Sequence, residues 1–122
     1  MDTNIKEVTI NGVTYIEKGQ GVPAETLDGM KYVIVRTYSA GVFGGYLEKR
    51  EGKEVVMRKA RRLWYWSGAA SLSQLAMEGT KKPSECKFPQ EVDRIELTEA
   101  IEILDVTKMA QDNIKAVPVW KQ

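Results

Sequence analysis

Between Met30 and Trp66 the chain alternates β-rich runs with turns too short to join anything except antiparallel neighbours. Lys31-Tyr32-Val33-Ile34-Val35-Arg36-Thr37-Tyr38 is dense in β-branched and aromatic residues, Ser39-Ala40-Gly41 turns the chain, and Val42 to Arg50 returns it. Glu51-Gly52-Lys53 turns it again, and Glu54-Val55-Val56-Met57-Arg58 opens a third strand. Parallel partners need a crossover of about a dozen residues or more, so these runs form an antiparallel meander. Gly44-Gly45 inside the return strand predicts a bulge, or the close approach of another backbone or a ligand.

The flanking segments complete an α+β fold. Asn11-Gly12 between two β-rich runs, within Val8 to Ile16, is the favoured sequence for a two-residue hairpin turn. Gly19-Gln20-Gly21-Val22-Pro23 then reads as loop, so residues 1–29 are expected to be a hairpin and connecting loop, and residues 30–122 the ligand-binding domain. Ser71 to Gly79 spaces Leu72, Leu75 and Ala76 on one helical face, with Ser71 and Gln74 as a capping pair and Gly79 as a stop. Thr80 to Pro89 is a loop, and Val92 to Val106 reads as long β structure with a bend or bulge at Glu99. A terminal helix is predicted over Thr107 to Val117, with Met109, Ala110, Asn113, Ile114 and Val117 along one side. The expected architecture is a twisted antiparallel sheet with a short helix after the central strands and a C-terminal helix.

Composition narrows the function classes. At 122 residues, 43% hydrophobic and 29% charged, the chain is one globular domain in size and balance. Its 18 basic and 17 acidic residues leave a net charge of +1, too little to hold a long duplex. The absence of histidine removes the commonest general base and metal ligand, so a catalytic or metal-dependent function is not expected. One cysteine, Cys86, excludes an internal disulfide framework, and no apolar leader or span stands out, which fits a reducing cytoplasm.

The densest constellation is Ala60-Arg61-Arg62-Leu63-Trp64-Tyr65-Trp66-Ser67-Gly68-Ala69-Ala70-Ser71. Arginine forks onto oxyanions and indoles stack on flat rings, but the same residues suit a buried strand. On a strand, Arg62, Trp64 and Trp66 share one face, while Leu63 and Tyr65 pack inward on the other. Trp66-Ser67-Gly68 to Ser71 presents small residues at a helix start, where amides favour an anion, or where strand and helix pack closely. Ser39-Ala40-Gly41 with Arg36 reads first as a hairpin turn and second as an oxyanion contact. Phe88, between Lys87 and Pro89, either lies over a base or plugs the core. Glu96, Glu99 and Glu102 do not share a strand face and read as solvated charges.

The block Tyr32-Val33-Ile34-Val35-Arg36-Thr37-Tyr38-Ser39-Ala40-Gly41-Val42, the run Ala60 to Leu72, Lys87-Phe88-Pro89 and Ile101-Glu102-Ile103 resemble the first family of Thoeris anti-defence proteins, over about Tyr32 to Trp120. These are small phage proteins. The resemblance implies a sponge that binds glycocyclic ADP-ribose, a cyclic ADP-ribose isomer made by a TIR-domain enzyme, without cleaving it. It also implies homo-oligomers, dimers or dimer-based assemblies, with cyclic di- or trinucleotides as a further ligand class. On that basis Arg61 or Arg62 with Ser67 and Gly68 is expected to hold pyrophosphate, and Trp64, Trp66 or Phe88 the adenine. Arg36, Ser39, Ala40 and Gly41 form a second tier, with Thr98 as a polar contact. The runner-up is a β-rich module binding single-stranded nucleic acid through the same residues, and a third reading is an interaction domain using the aromatics as an oligomer contact.

Overall fold

A computed structural model describes residues 7–10, 13–16 and 21–122. The chain runs through β1 (Glu7–Ile10), β2 (Val13–Ile16), β3 (Lys31–Thr37), β4 (Val42–Glu51), β5 (Glu54–Arg62), α1 (Leu72–Glu78), a single 3-10 turn (Pro83–Glu85), β6 (Val92–Leu97), β7 (Ala100–Asp105) and α2 (Lys108–Ala116). β1 and β2 pair antiparallel in the expected register, Ile10 opposite Val13, while the Asn11-Gly12 turn itself lies outside the described residues. The other strands form one antiparallel sheet in the order β6-β5-β4-β3-β7, an α+β architecture. Among the described residues no helix is long and apolar enough to cross a membrane.

One correction concerns Glu99. The expected bend in a single strand is instead a transfer between opposite edges of the sheet: β6 ends at Leu97 and β7 begins at Ala100. Four inter-strand steps of about 4.8 Å would separate those edges by about 19 Å if the sheet were flat. Three Cα steps from Leu97 to Ala100 span at most about 11 Å. The open sheet therefore curls strongly. The link is held on both sides, by Tyr38 N–H to the Glu99 carbonyl at 2.9 Å and by Ala100 N–H to the Lys53 carbonyl at 3.0 Å.

Curling gives the sheet two buried faces, which is why Tyr32 to Val35 are all apolar and none alternates with solvent. Val33, Val35, Phe43, Val55, Met57, Ala60, Leu97 and Ala100 pack together on one face. Tyr32, Ile34 and Tyr46 face the other, covered by Leu75 and Ala76 of α1, Phe88, and Ala110, Ile114 and Val117 around α2. Burying each of the large aliphatic side chains contributes roughly 1.5–3 kcal/mol. Gly45 sits at a shift in the β4–β5 register, where a Cβ would come within 2.8 Å of the Ala60 Cα. The predicted close backbone approach is thus a strand–strand contact.

Both helices start as their sequences dictate. Ser71 Oγ accepts from Gln74 N–H at 3.1 Å, and Gln74 Oε1 accepts in return from Ala70 N–H at 2.7 Å. Thr107 Oγ1 accepts from Ala110 N–H at 3.1 Å and donates to the Met77 carbonyl at 2.7 Å, tying α2 to the end of α1. The buried face of α2 is Ala110, Gln111 and Ile114; Met109, expected with them, is exposed. Asn113 instead bonds the backbone of Thr80 through both its amide oxygen and nitrogen. The connecting segment is bonded to the rest, with Ala24 N–H to the Val106 carbonyl and Lys108 N–H to the Val22 carbonyl.

Candidate functional site

The sheet places the two adjacent arginines on opposite faces, and only one is buried. Arg61, 6% exposed, enters beneath α2 and spends its guanidinium on three main-chain carbonyls. Nε donates to Pro89 at 3.0 Å, Nη1 to Ile114 at 2.9 Å and Nη2 to Phe88 at 3.0 Å. Burial pulls its pKa below the ordinary value, opposed by Tyr32 and Glu91. Phe88, expected as a base platform, is fully buried with the Arg61 guanidinium carbon 5.5 Å from its ring centroid, so it plugs the core.

The predicted alternation beyond Arg62 does not hold, because β5 ends there. Leu63 N–H still bonds the Val42 carbonyl, but Tyr65 leaves β4 and exchanges backbone hydrogen bonds with Lys87. The chain changes partners, and the face of each side chain changes with it. Leu63 is buried as expected; Tyr65, expected inward, is 51% exposed. Trp64 is 64% exposed, whereas Trp66 is half-buried against the helix-covered core, so the two tryptophans do not share a face. Arg62 is exposed, its guanidinium carbon 4.7 Å from the Phe43 ring centroid.

Ser67 and Gly68 follow the close-packing reading. The Ser67 carbonyl accepts from the Thr80 hydroxyl, and Gly68, at φ +85, has no room for a Cβ, which would fall 2.5 Å from the Lys82 nitrogen. The start of α1 is closed by its own capping pair, and among the described residues no hydrogen bond links Ser67 or Gly68 to Arg61. The second tier is elsewhere and beside acids. Arg36 Nε donates to Glu102 at 2.7 Å, and Ser39 Oγ to Glu99 at 3.2 Å. The Ala40 amide donates to Thr37 Oγ1 at 2.9 Å and the Gly41 carbonyl accepts from Thr37 N–H at 3.0 Å, completing a hairpin turn. Thr98 lines a cleft where Glu48, Glu51, Glu54 and Glu96 outnumber Lys49 and Arg94, each of which is paired with one of those acids, a poor setting for an anion.

What the fold assembles instead is a basic cavity of about 180 Å³ lined by Tyr32, Arg61, Glu91, Lys115, Val117 and Val119. Gly44 makes room for the Tyr32 hydroxyl. Opposite Arg61 in the β4–β5 register, it carries no side chain, and a Cβ there would sit 3.1 Å from the Tyr32 hydroxyl and 3.8 Å from Ile114. Tyr32 is 3% exposed, and among the described residues no hydrogen bond satisfies its hydroxyl. Burial raises its pKa, with Tyr46 adding to the rise and Arg61 opposing it, so the phenol keeps its proton. Lys115 Nζ donates to the Tyr46 hydroxyl at 2.9 Å on the same side of the sheet. Arg61 retains N–H donors beyond the three it has used, because a guanidinium has five.

Outside, Val119 of the cavity wall leads to Trp120, whose N–H bonds the Phe88 carbonyl at 3.0 Å. Trp120 and Tyr65 flank the Lys87 ammonium, their ring centroids 5.6 and 5.8 Å away. A larger cavity of about 420 Å³ is lined by Pro23, Tyr32, Met77 and Val106, but its one cation, Lys31, is 2.9 Å from Asp105. Among the described residues, the cavity around Arg61 brings two cations and a phenol together, with the exposed Trp120 following its Val119 wall.

A family described as a domain of unknown function, DUF6948, matches residues 30–114. The chain belongs to that family. The DUF6948 span contains Tyr32, Arg61 and Glu91, and ends at Ile114, one residue before Lys115. No curated protein and no solved structure matches the chain. Sequence reasoning missed Tyr32, Glu91, Lys115, Lys87 and Trp120 as site residues; the sequence signal nearest to them was Gly44, which leaves space for the Tyr32 hydroxyl.

Proposed function

We propose that this chain is a non-catalytic binder that sequesters a cyclic ADP-ribose isomer, as the resemblance over Tyr32 to Trp120 implies. The observation that carries the reading is the convergence on one small cavity of Arg61, Lys115 and the buried Tyr32 hydroxyl, which has no hydrogen-bond partner among the described residues. At about 180 Å³ it is below the usual size of a whole-ligand pocket, roughly 300–1,000 Å³, and suits a phosphoryl group alone. The pyrophosphate would enter it, and the adenine would lie outward against Trp120 and Tyr65.

In the decisive experiment the protein is incubated with the messenger, heat-denatured, and the supernatant assayed. Intact messenger is the expected recovery; a cleaved product overturns the reading. Lys115→Ala, at an exposed position, is expected to weaken binding by roughly 1.5–3 kcal/mol. Unchanged affinity removes the cavity from the site.

The exposed rings of Tyr65 and Trp120 around Lys87, with Trp64 also exposed, favour a second reading, a stacking platform for single-stranded nucleic acid. Salt separates the two. A polymer touching several phosphates weakens steeply as salt rises, and a ligand with two phosphates weakens modestly.

A further inference from the structure

We propose that Glu91 makes the cavity around Arg61 selective for singly charged phosphoryl groups, the internal phosphates of a pyrophosphate or diester, over terminal phosphate monoesters. The inference rests on the phosphate reading above and extends it to ligand class.

The charge count is explicit. Arg61 and Lys115 bring two positive charges to the cavity walls and Glu91 one negative charge. Tyr32 contributes a neutral hydroxyl. The carbonyl end of α2, onto which Arg61 donates at Ile114, carries about half a negative charge. The remaining excess is at most one positive charge, which one monoanionic phosphoryl group satisfies. A terminal phosphate carries about −1.5 to −2 at pH 7, so its second charge would face Glu91 without a partner among the charged groups lining the cavity. Glu91 itself lies at an exposed position on the cavity rim, where it excludes charge without supporting the core. It acts as a specificity-determining residue.

ADP-ribose and ADP are the probes, since they share the adenine and differ in whether a phosphate is terminal. At pH 7.5 the wild-type protein is expected to bind ADP-ribose about tenfold more tightly than ADP, and Glu91→Gln to bring the two within about twofold by tightening ADP. A second measurement needs no variant. Between pH 7.5 and 5.5 the terminal phosphate of ADP gains a proton near pH 6, and the wild-type preference is expected to shrink. The titratable groups facing the site are Tyr32, Arg61, Glu91 and Lys115, with Tyr46 behind it, and the chain has no histidine. A preference unchanged in Glu91→Gln and across pH, with ADP-ribose binding still dependent on Lys115, overturns the selectivity and leaves the phosphate reading standing. Failure of the wild type to bind either probe overturns the selectivity, while recovery of the cyclic messenger decides the phosphate reading on its own.

Discussion

Arg61 and Arg62 are neighbours of the same type with opposite consequences. Arg61→Ala would strip the Phe88, Pro89 and Ile114 carbonyls of a charged donor, so a loss of about 3 kcal/mol or more is expected in urea denaturation. Arg62→Ala should cost about 0.5–1 kcal/mol, the range of an exposed cation on a ring. Nothing in the pair Arg-Arg distinguishes the two; the end of β5 and the position of Phe88 do, and both depend on tertiary pairing. Tyr32 offers a different contrast. Its hydroxyl has no partner among the described residues, so Tyr32→Phe should keep stability at neutral pH within about 0.5 kcal/mol while weakening ADP-ribose binding. The raised pKa gives this group a sign in the alkaline limb. The folded state holds the phenolic proton more tightly, so its contribution is intact below the ordinary value of about 10 and declines as pH rises above it. Stability measured from pH 9 upward should fall less steeply in Tyr32→Phe than in the wild type.

At the level of single elements, the signals that survive from the sequence are those written in local chemistry. Ser71 with Gln74, Thr107 as a cap, the turns at Ser39-Ala40-Gly41 and Glu51-Gly52-Lys53, and the meander of β3 to β5 all depend on residues a few positions apart. The faces from Trp64 to Trp66 are not legible in the sequence because the partner of Tyr65, Lys87, is remote and draws the chain out of the sheet. Gly68 shows the same dependence from the other side. It reads as a small residue before a helix, yet its positive φ and the backbone of Lys81 and Lys82 against it are set by the loop after α1. Gly68→Ala is therefore expected to lower stability by about 2 kcal/mol or more. Gly41→Ala, which also has positive φ but meets open space, should cost about 1 kcal/mol, through backbone strain alone. Equal losses in urea titrations of the two variants would reject the packing account.

The molecule as a whole is organised by a sheet shared between two cores. Ile34 and Val35 are adjacent in β3, both fully buried, and point into opposite clusters. Because one strand belongs to both, Ile34→Ala and Val35→Ala are each expected to lower stability by about 2–4 kcal/mol without changing the denaturant slope. Tryptophan fluorescence and far-ultraviolet dichroism should report one coincident transition; two transitions in Val35→Ala would mean that the cores melt separately. The two-residue passage through Thr98 and Glu99 closes this arrangement by returning the chain to β3, pairing Val33 with Asp105. That pairing has a consequence for biosynthesis. With synthesis at about 5–20 residues per second, β3 waits on the order of ten seconds for β7 to be made. Throughout that interval one side of Val33, Ile34 and Val35 is an unpaired apolar strand edge, the kind of surface that draws chaperones or neighbouring nascent chains until β7 covers it.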